Sequence, residues 1–180
     1  MEPLIHLVIP FIALTLYGLE WRTALPLALL ALLPDLDVLF HVHRSMSHSL
    51  VVVSLVGLPL LMLAYRLKIP RVGWLGLLAV ASHIALDVFA GYTPILWPLY
   101  GNSVWIQTEL MAQISSIPTL IPALKIAIEP TRFIAFESID APLLTGEGLI
   151  ISMVLILPIL VKALEKKRWI MNRARERLMK

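Results

Sequence analysis

Long apolar runs, separated by short polar stretches, organise most of this chain. They predict five membrane helices, at residues 3–19, 23–33, 49–67, 72–90 and 148–164. Pro34 is expected to bend or end the second helix, and the basic turn around Pro70 ends the third. Ser47 is the predicted N-cap of the third helix. The pattern therefore predicts an all-α, polytopic integral membrane bundle with about five transmembrane helices.

The stretch at residues 110–128 fits this pattern least well. It is long enough to span a membrane, but it contains two prolines, Gln113 and Lys125. We expect a broken, interfacial or re-entrant segment, because irregular backbone is tolerated at membrane depth only where protein covers it. The predicted divisions of this single domain are a helical core with the functional site at 1–107, the interfacial segment at 108–147, and a last membrane helix with a basic tail at 148–180.

Composition favours a bilayer as the solvent of this chain. Of its 180 residues, 59% are hydrophobic and 15% are charged, and the mean hydropathy is +0.86. A soluble domain of this size needs more polar surface. The absence of cysteine excludes disulfides, thiolate zinc sites and cysteine nucleophiles. The first apolar run lacks a basic leader and an Ala-x-Ala motif, so we expect a retained span and not a signal peptide.

Basic residues indicate how the chain is oriented. The net charge is +3, the pI is about 9.4, and eight Lys and Arg residues lie between positions 162 and 180. Such flanks set membrane topology near anionic lipid, and we favour this role over nucleic-acid binding. The positive-inside rule then puts the tail and the turn at 66–71 in the cytoplasm. Residues 35–48 and 91–107 face outward from the cytoplasmic membrane, which requires an odd number of spans.

Carboxylate and imidazole side chains interrupt the apolar runs. A carboxylate near the bilayer centre costs roughly 2.5–3.5 kcal/mol on insertion scales, so such residues usually mark a site or an ion path. His83 and Asp87 are four residues apart and share one helix face. Carboxylates with neutral imidazoles favour a divalent metal, and their number allows one or two ions. The candidate ligands are His6, Asp35, Asp37, His43, His48, His83 and Asp87.

Each of these residues, taken singly, also has a structural alternative. Either aspartate of the 35–37 pair can cap a helix, His48 can pack at a helix start, and His6 can be a buried, hydrogen-bonded histidine. Arg44, the only cation in its hairpin, either pairs with an aspartate or binds a substrate phosphate. His41 is assigned no ligand role. Buried charges need partners, which favours a shared site.

The order of these motifs resembles the YdjM-like family. The motifs are Pro34-Asp35-Leu36-Asp37, His43-Arg44, Ser47-His48-Ser49-Leu50, His83-x-x-x-Asp87 and Leu96-Trp97-Pro98, within roughly residues 1–100. Members are described as membrane-bound metal-dependent hydrolases or LexA-binding inner-membrane hydrolases. The family is similar to zinc-dependent phospholipase C and the single-strand-specific zinc nucleases. Their ligand order resembles His6, Asp35 or Asp37, His48, His83 and Asp87. Ligands for a third zinc are missing unless Glu109, Glu137 or Glu147 contributes.

Residues and resemblance together predict a zinc-type hydrolase that acts on a phosphoester of a lipid or lipid-linked substrate. Asp37, Asp87 and Arg44 are the predicted catalytic residues: an aspartate as base, Asp87 as metal holder, and Arg44 as the group that holds phosphate oxygens. The alternative is a non-enzymatic metal-binding membrane protein. A transporter predicts ligands in both halves of the membrane, whereas an adaptor needs only a structural metal. A serine hydrolase is not favoured, because Gly-x-Ser-x-Gly is absent.

Overall fold

Five α-helices and one β-hairpin make up the part of the chain that the computed structural model describes, residues 2–114, 119–138 and 144–178. The helices are α1 (Pro3–Leu16), α2 (Trp21–Leu29), α3 (Leu50–Arg66), α4 (Pro70–Ala90) and α5 (Gly146–Leu178). The strands are β1 (Asn102–Gln113) and β2 (Thr119–Pro130). Short 3-10 helices lie at Leu30–Leu32, Pro34–Phe40 and Met46–His48.

The prediction of an all-α bundle is wrong, because residues 102–130 contain an antiparallel hairpin in place of a broken interfacial helix. Its register pairs Val104 with Ile128 and Gln107 with Lys125. Cross-strand partners share a face, so the polar pairs lie together on one face, although that face also carries the apolar pairs Trp105–Ala127 and Met111–Ile121. The period of two in this stretch, and not its overall apolarity, indicates the structure. Residues 115–118 and 139–143, within the predicted interfacial segment, lie outside the described residues.

The prediction of about five membrane spans is also wrong. Two described helices are long and apolar enough to cross a membrane: α4 and the Gly146–Glu165 part of α5. Residues Trp21–Leu32 and Pro34–Phe40 form a third candidate if their 46° bend lies within one span. Pro34 bends that segment because it lacks an amide hydrogen. Helices α1 and α3 are apolar but stop at 14 and 17 residues. The proposed divisions at 107 and 147 stay predictions.

Small residues bring the helices close together. Helix α1 packs against α2, α4 and α5, and α3 packs against α4. Ala24 and Ala28 of α2 are fully buried in the core between α1 and α2. A Cβ atom on Gly73 would lie 2.8 Å from the Cβ of Ala64, so α3 and α4 approach there with no room for a side chain.

The first residues of α1 and α5 lie at the same end of the bundle. A Cβ atom on Gly148 would overlap the carboxylate of Glu2. Glu2 therefore lies against the first turn of α5, where the helix dipole favours negative charge. The contact brings the start of α1, the helix that carries His6, next to the start of α5.

Candidate metal centre

A short 3-10 helix, Pro34–Phe40, carries both aspartates of the 35–37 pair. His41 ends it in the left-handed conformation, with φ of 56°. Asp37 is buried, and its Oδ2 accepts hydrogen bonds from the Ser45 backbone N–H at 2.8 Å and from the Ser47 hydroxyl at 3.1 Å. These bonds fold the loop that contains His43 and Arg44 back over the aspartates.

His48 lies just before α3 and is fully buried. The interpretation of Ser47 as the N-cap of this helix is wrong. Ser49 is the cap, and its Oγ accepts hydrogen bonds from two backbone N–H groups of the first turn at 3.2 and 3.5 Å. The Ser47 hydroxyl oxygen instead lies 2.9 Å from the Pro34 carbonyl oxygen and 3.0 Å from His48 Nδ1. Ser47 therefore joins the aspartate helix to the histidine.

The hydroxyl of Ser49 also holds the loop that follows α4. It donates to the carbonyl oxygens of Ile95 and Trp97, and the Leu50 backbone N–H donates to Ile95 O at 2.8 Å. Thr93 in the same loop pairs with Val104 of β1. The loop at residues 91–101 is thereby fixed beside the start of α3.

Helices α1 and α4 supply the remaining groups. His83 and Asp87 of α4 are both fully buried, on the shared face that their spacing predicts. His6 Nε2 lies 3.5 Å from Asp87 Oδ1, and the ring centroids of His6 and His83 are 4.1 Å apart. The first and fourth helices therefore meet at these side chains.

Four side-chain atoms converge at the centre: His48 Nε2, His83 Nε2, Asp35 Oδ1 and Asp87 Oδ2. We call these four residues the inner cluster. The two nitrogens are 3.2 Å apart. His48 Nε2 lies 3.5 Å from the Asp35 oxygen and 3.1 Å from the Asp87 oxygen. The corresponding distances from His83 Nε2 are 3.4 and 3.6 Å. Ligands of a tetrahedral zinc, at about 2.0–2.1 Å from the ion, are roughly 3.3–3.4 Å from one another.

The other predicted ligands flank the inner cluster on two sides. His43 Nδ1 lies 3.6 Å from Asp37 Oδ1 and 3.9 Å from Asp35 Oδ1. His6 lies on the Asp87 side. Six of the candidate ligands form two groups of three, and within each group the candidate ligand atoms lie within 4.8 Å of one another. The groups are His6, His83 and Asp87, and Asp35, His43 and His48. The fold thus brings all seven candidate ligands together, and either group can hold a metal ion.

The electrostatics of the centre also fit a cation. Asp35 Oδ1 and both Asp87 oxygens are buried, and imidazole nitrogens of His6, His48 and His83 lie 3.1–3.6 Å from them. Burial disfavours the charged form of His48, but polar contacts with Asp35, Asp37 and Asp87 outweigh burial and raise the pKa of His48 to about 10. Buried carboxylates need positive charge close to them. A divalent ion supplies that charge when His48 gives up its proton.

Arg44 borders this centre from the loop. Its Nε lies 3.7 Å from Asp87 Oδ2, and its side chain is 19% exposed. A Cβ atom on Gly91 would overlap the Arg44 guanidinium. Gly91 thus makes room for the arginine beside Asp87, a role that sequence reasoning missed. A glycine directly after the predicted helix was the available signal.

The remaining candidates lie apart from the centre. His41 is exposed, and its ring meets Phe136 edge-on at 6.0 Å. Glu109, Glu137 and Glu147 are exposed and belong to neither group of candidate ligands within the described residues. The described part of the chain therefore offers no glutamate for a third ion.

The basic turn at 66–71 can be placed relative to the centre. Helix α3 starts beside His48 and ends at Arg66, and α4 runs from Pro70 back to Asp87. The basic turn at 66–71 is therefore at the opposite end of this helix pair from the candidate ligands. This is the arrangement that the charge pattern predicts, although it leaves the side of the membrane unassigned.

Comparison with protein families bears on these features. The family described as YdjM inner membrane protein matches residues 1–168, well beyond the first 100 residues that carry the sequence resemblance. No curated protein and no solved structure matches the chain. The family match and the apolar helices identify a membrane protein, and its buried histidine and aspartate groups can hold a metal ion. The chain belongs to the YdjM inner membrane protein family.

Proposed function

We propose that this protein is a membrane-embedded, metal-dependent hydrolase that cleaves a phosphoester of a lipid or lipid-linked substrate. The observation that carries the proposal is the inner cluster. Five of the six pairs among its four atoms are separated by 3.1–3.6 Å, close to the edge length of a zinc ligand tetrahedron. Imidazoles and carboxylates are donors that bind zinc, and a catalytic ion would be held by three of these four side chains, with its fourth position open to water.

The proposed complement is one or two divalent ions, with zinc favoured by the imidazole donors. His48, His83, Asp35 and Asp87 would hold the first ion. Asp87 supports a second, because its Oδ2 faces His48 and its Oδ1 faces His6. A carboxylate with its two oxygens directed to different sides can bridge two ions.

When bound, such an ion lowers the pKa of a water ligand and polarises a phosphoryl oxygen. The protein's own groups supply position and charge. Asp37 lies 3.3 Å from His48 Nδ1 and can hold that ring with Nε2 directed into the inner cluster. To act as the predicted base, Asp37 would accept a proton at its other oxygen, Oδ1, which faces His43. Arg44 would exchange its Asp87 contact for a substrate phosphate, to which a guanidinium can make paired hydrogen bonds.

The proposed site faces outward from the cytoplasmic membrane. The support is the basic turn at 66–71, which lies at the far end of α3 and α4 and would be cytoplasmic under the positive-inside rule. The basic tail would be cytoplasmic as well, with a membrane-spanning part of α5 before it. Substrate lipid would then come from the outer leaflet.

A metal-binding protein without enzymatic activity is the second candidate, and complete burial favours it. His48, His83 and Asp87 are each 0% exposed, as expected for a structural metal. Transport is less well supported, because the candidate ligands lie at one end of the helices and not along them. The test below separates this candidate from the hydrolase.

The test of the proposal is hydrolysis by purified protein with measured metal content. The panel contains phospholipids with different head groups and a polyprenyl phosphate, and release of phosphate or head group is measured with and without a chelator. Asp87→Asn should abolish turnover, because it keeps the side-chain shape and removes the buried charge that holds the ion. His41→Ala is the matched control and should retain activity. Turnover that survives both the chelator and Asp87→Asn would contradict the mechanism.

A further inference from the structure

An apolar groove leads from the candidate metal centre along the membrane helices. It has a volume of about 460 Å³ and lies between the second helix and the α3–α4 pair. Leu27 and Leu30 form one wall, Val53 and Val56 of α3 a second, and Leu77 of α4 the third. Of the described residues that line it, only Ser47 has a polar side chain.

One end of the groove lies beside the metal centre, with Ser47 between the groove and the candidate ligands. Pro34 and Ser47 line the groove, and the Ser47 hydroxyl contacts both Asp37 Oδ2 at 3.1 Å and His48 Nδ1 at 3.0 Å. A molecule whose apolar part fills the groove would therefore hold its head group next to the candidate ligands. No other polar group of the described lining competes for that position.

The groove extends away from the centre for much of the length of α3. Its lining runs from Val52 to Leu61, a rise of about 13 Å at 1.5 Å per helical residue. On α4 it runs in the opposite direction, from Val80 near the centre to Val72 near the basic turn. This is a narrow, elongated space parallel to the helices, which suits a single hydrocarbon chain.

The side of the groove is open where the helix surface would meet lipid. Val56 and Leu60 on its rim are 60% and 59% exposed. In a bilayer such exposed apolar side chains face acyl chains. A lipid could then enter laterally, with its chain staying in apolar surroundings throughout.

We propose that this groove holds one hydrocarbon chain of the lipid substrate and positions its phosphoester at the metal centre. The inference rests on the proposed hydrolase function and assigns the apolar part of its substrate. Moving a chain from bilayer to groove exchanges one apolar environment for another, so little hydrophobic driving force is gained. The groove acts by the shape and orientation that it imposes on the chain. It should therefore raise kcat/KM for substrates with a hydrocarbon chain and leave the affinity of the protein for the membrane unchanged.

Photocrosslinking tests occupancy without requiring catalysis. The full chain is placed in phosphatidylcholine nanodiscs that contain phosphatidic acid with a diazirine in one acyl chain, and adducts are mapped by mass spectrometry after illumination. We expect adducts concentrated on groove residues and lost in Val56→Trp. Leu55→Trp is the matched control: Leu55 is the neighbouring residue, is 68% exposed, and does not line the groove. Val53→Trp blocks a less exposed part of the lining. It is the second groove variant in case the side chain introduced by Val56→Trp turns toward lipid.

Hydrolysis of two esters with the same head group gives the second readout. Val56→Trp should lower kcat/KM for the long-chain ester, with metal content and turnover of a short-chain, water-soluble ester unchanged. Crosslinking localised to the groove without hydrolysis of either ester would contradict the proposed catalysis and support the groove as a site for a hydrocarbon chain. Adducts spread evenly over exposed apolar helix surfaces, and unaffected by both groove variants, would overturn the chain site even if both esters are hydrolysed.

Discussion

Asp37 offers a graded test of how the metal centre is built. Its Oδ2 accepts from the Ser45 backbone N–H at 2.8 Å and lies 3.3 Å from His48 Nδ1. In Asp37→Asn the Ser45 backbone N–H still requires an acceptor, so the amide oxygen should occupy the position of Oδ2. The contact with His48 Nδ1 should then persist. What is lost is the negative charge and not the hydrogen bond.

The size of the effect follows from this difference. Hydrogen bonds to charged groups contribute about 1.5–3 kcal/mol and neutral ones about 0.5–1.5 kcal/mol, a difference of roughly 1–1.5 kcal/mol. Zinc affinity should therefore fall about tenfold, at the low end of the 10–100-fold range for residues that orient metal ligands. Asp35→Asn alters an oxygen of the inner cluster and should cost more than about 100-fold. Competition with a chromophoric chelator in detergent gives both values.

Two results would contradict this reasoning. An unchanged zinc affinity in Asp37→Asn would show that Asp37 does not orient His48. A loss as large as that in Asp35→Asn would show that Asp37 ligates the ion directly, as the sequence pattern also allows. His41→Ala serves as the control for nonspecific effects on zinc binding, because its exposed ring faces Phe136.

Three further predictions follow. Zinc binding at pH 7 should release about one proton and strengthen as pH rises, because the pKa of His48 is raised to about 10 and the proton competes with the ion. Calorimetry in buffers of different ionisation enthalpy measures this release, and its absence would contradict the prediction. Ser49→Ala should lower the free energy of unfolding by about 1–3 kcal/mol, since it removes a helix cap and a donor to buried loop carbonyls, whereas Ser54→Ala on the exposed face of α3 should change little in the same denaturation assay. Single cysteines in place of Ser45 and Ile69 should react with an impermeant maleimide from opposite sides of the membrane, and reaction from the same side would refute the proposed topology.

The positions of the helices could be predicted because apolar runs and their breaks are local properties. The predicted range 72–90 compares with Pro70–Ala90 for α4, and 49–67 with Leu50–Arg66 for α3. The number of spans was harder to predict, because apolar composition does not fix helix length, and α1 and α3 stop at 14 and 17 residues. The β-hairpin was missed because the prediction gave more weight to the apolar content of this stretch than to its polar positions. In the hairpin two of these, Gln107 and Lys125, are cross-strand partners.

The candidate site shows a similar division. The shared face of His83 and Asp87 follows from helical spacing, and the fold adds His6 through the packing of α1 against α4. The distances from Asp35 to both histidines of the inner cluster depend on a short 3-10 helix and a returning loop, which no periodicity encodes. The cap was misplaced from Ser49 to Ser47 because the turn at Met46–His48 delays the start of α3.

The close approach of α3 and α4 has a consequence for mutational scanning of this protein. Gly73 has no chemical group to offer, yet any side chain there would have to displace Ala64 or separate the two helices. Gly148 differs, because a Cβ atom there would meet only the carboxylate end of the flexible Glu2 side chain, which can move aside. A scan scored by protein abundance would therefore rank Gly73, but not Gly148, beside His83 as a position that rejects substitution. A second score, metal retained per folded molecule, should separate them, because an alanine that is tolerated at Gly73 leaves every ligand in place.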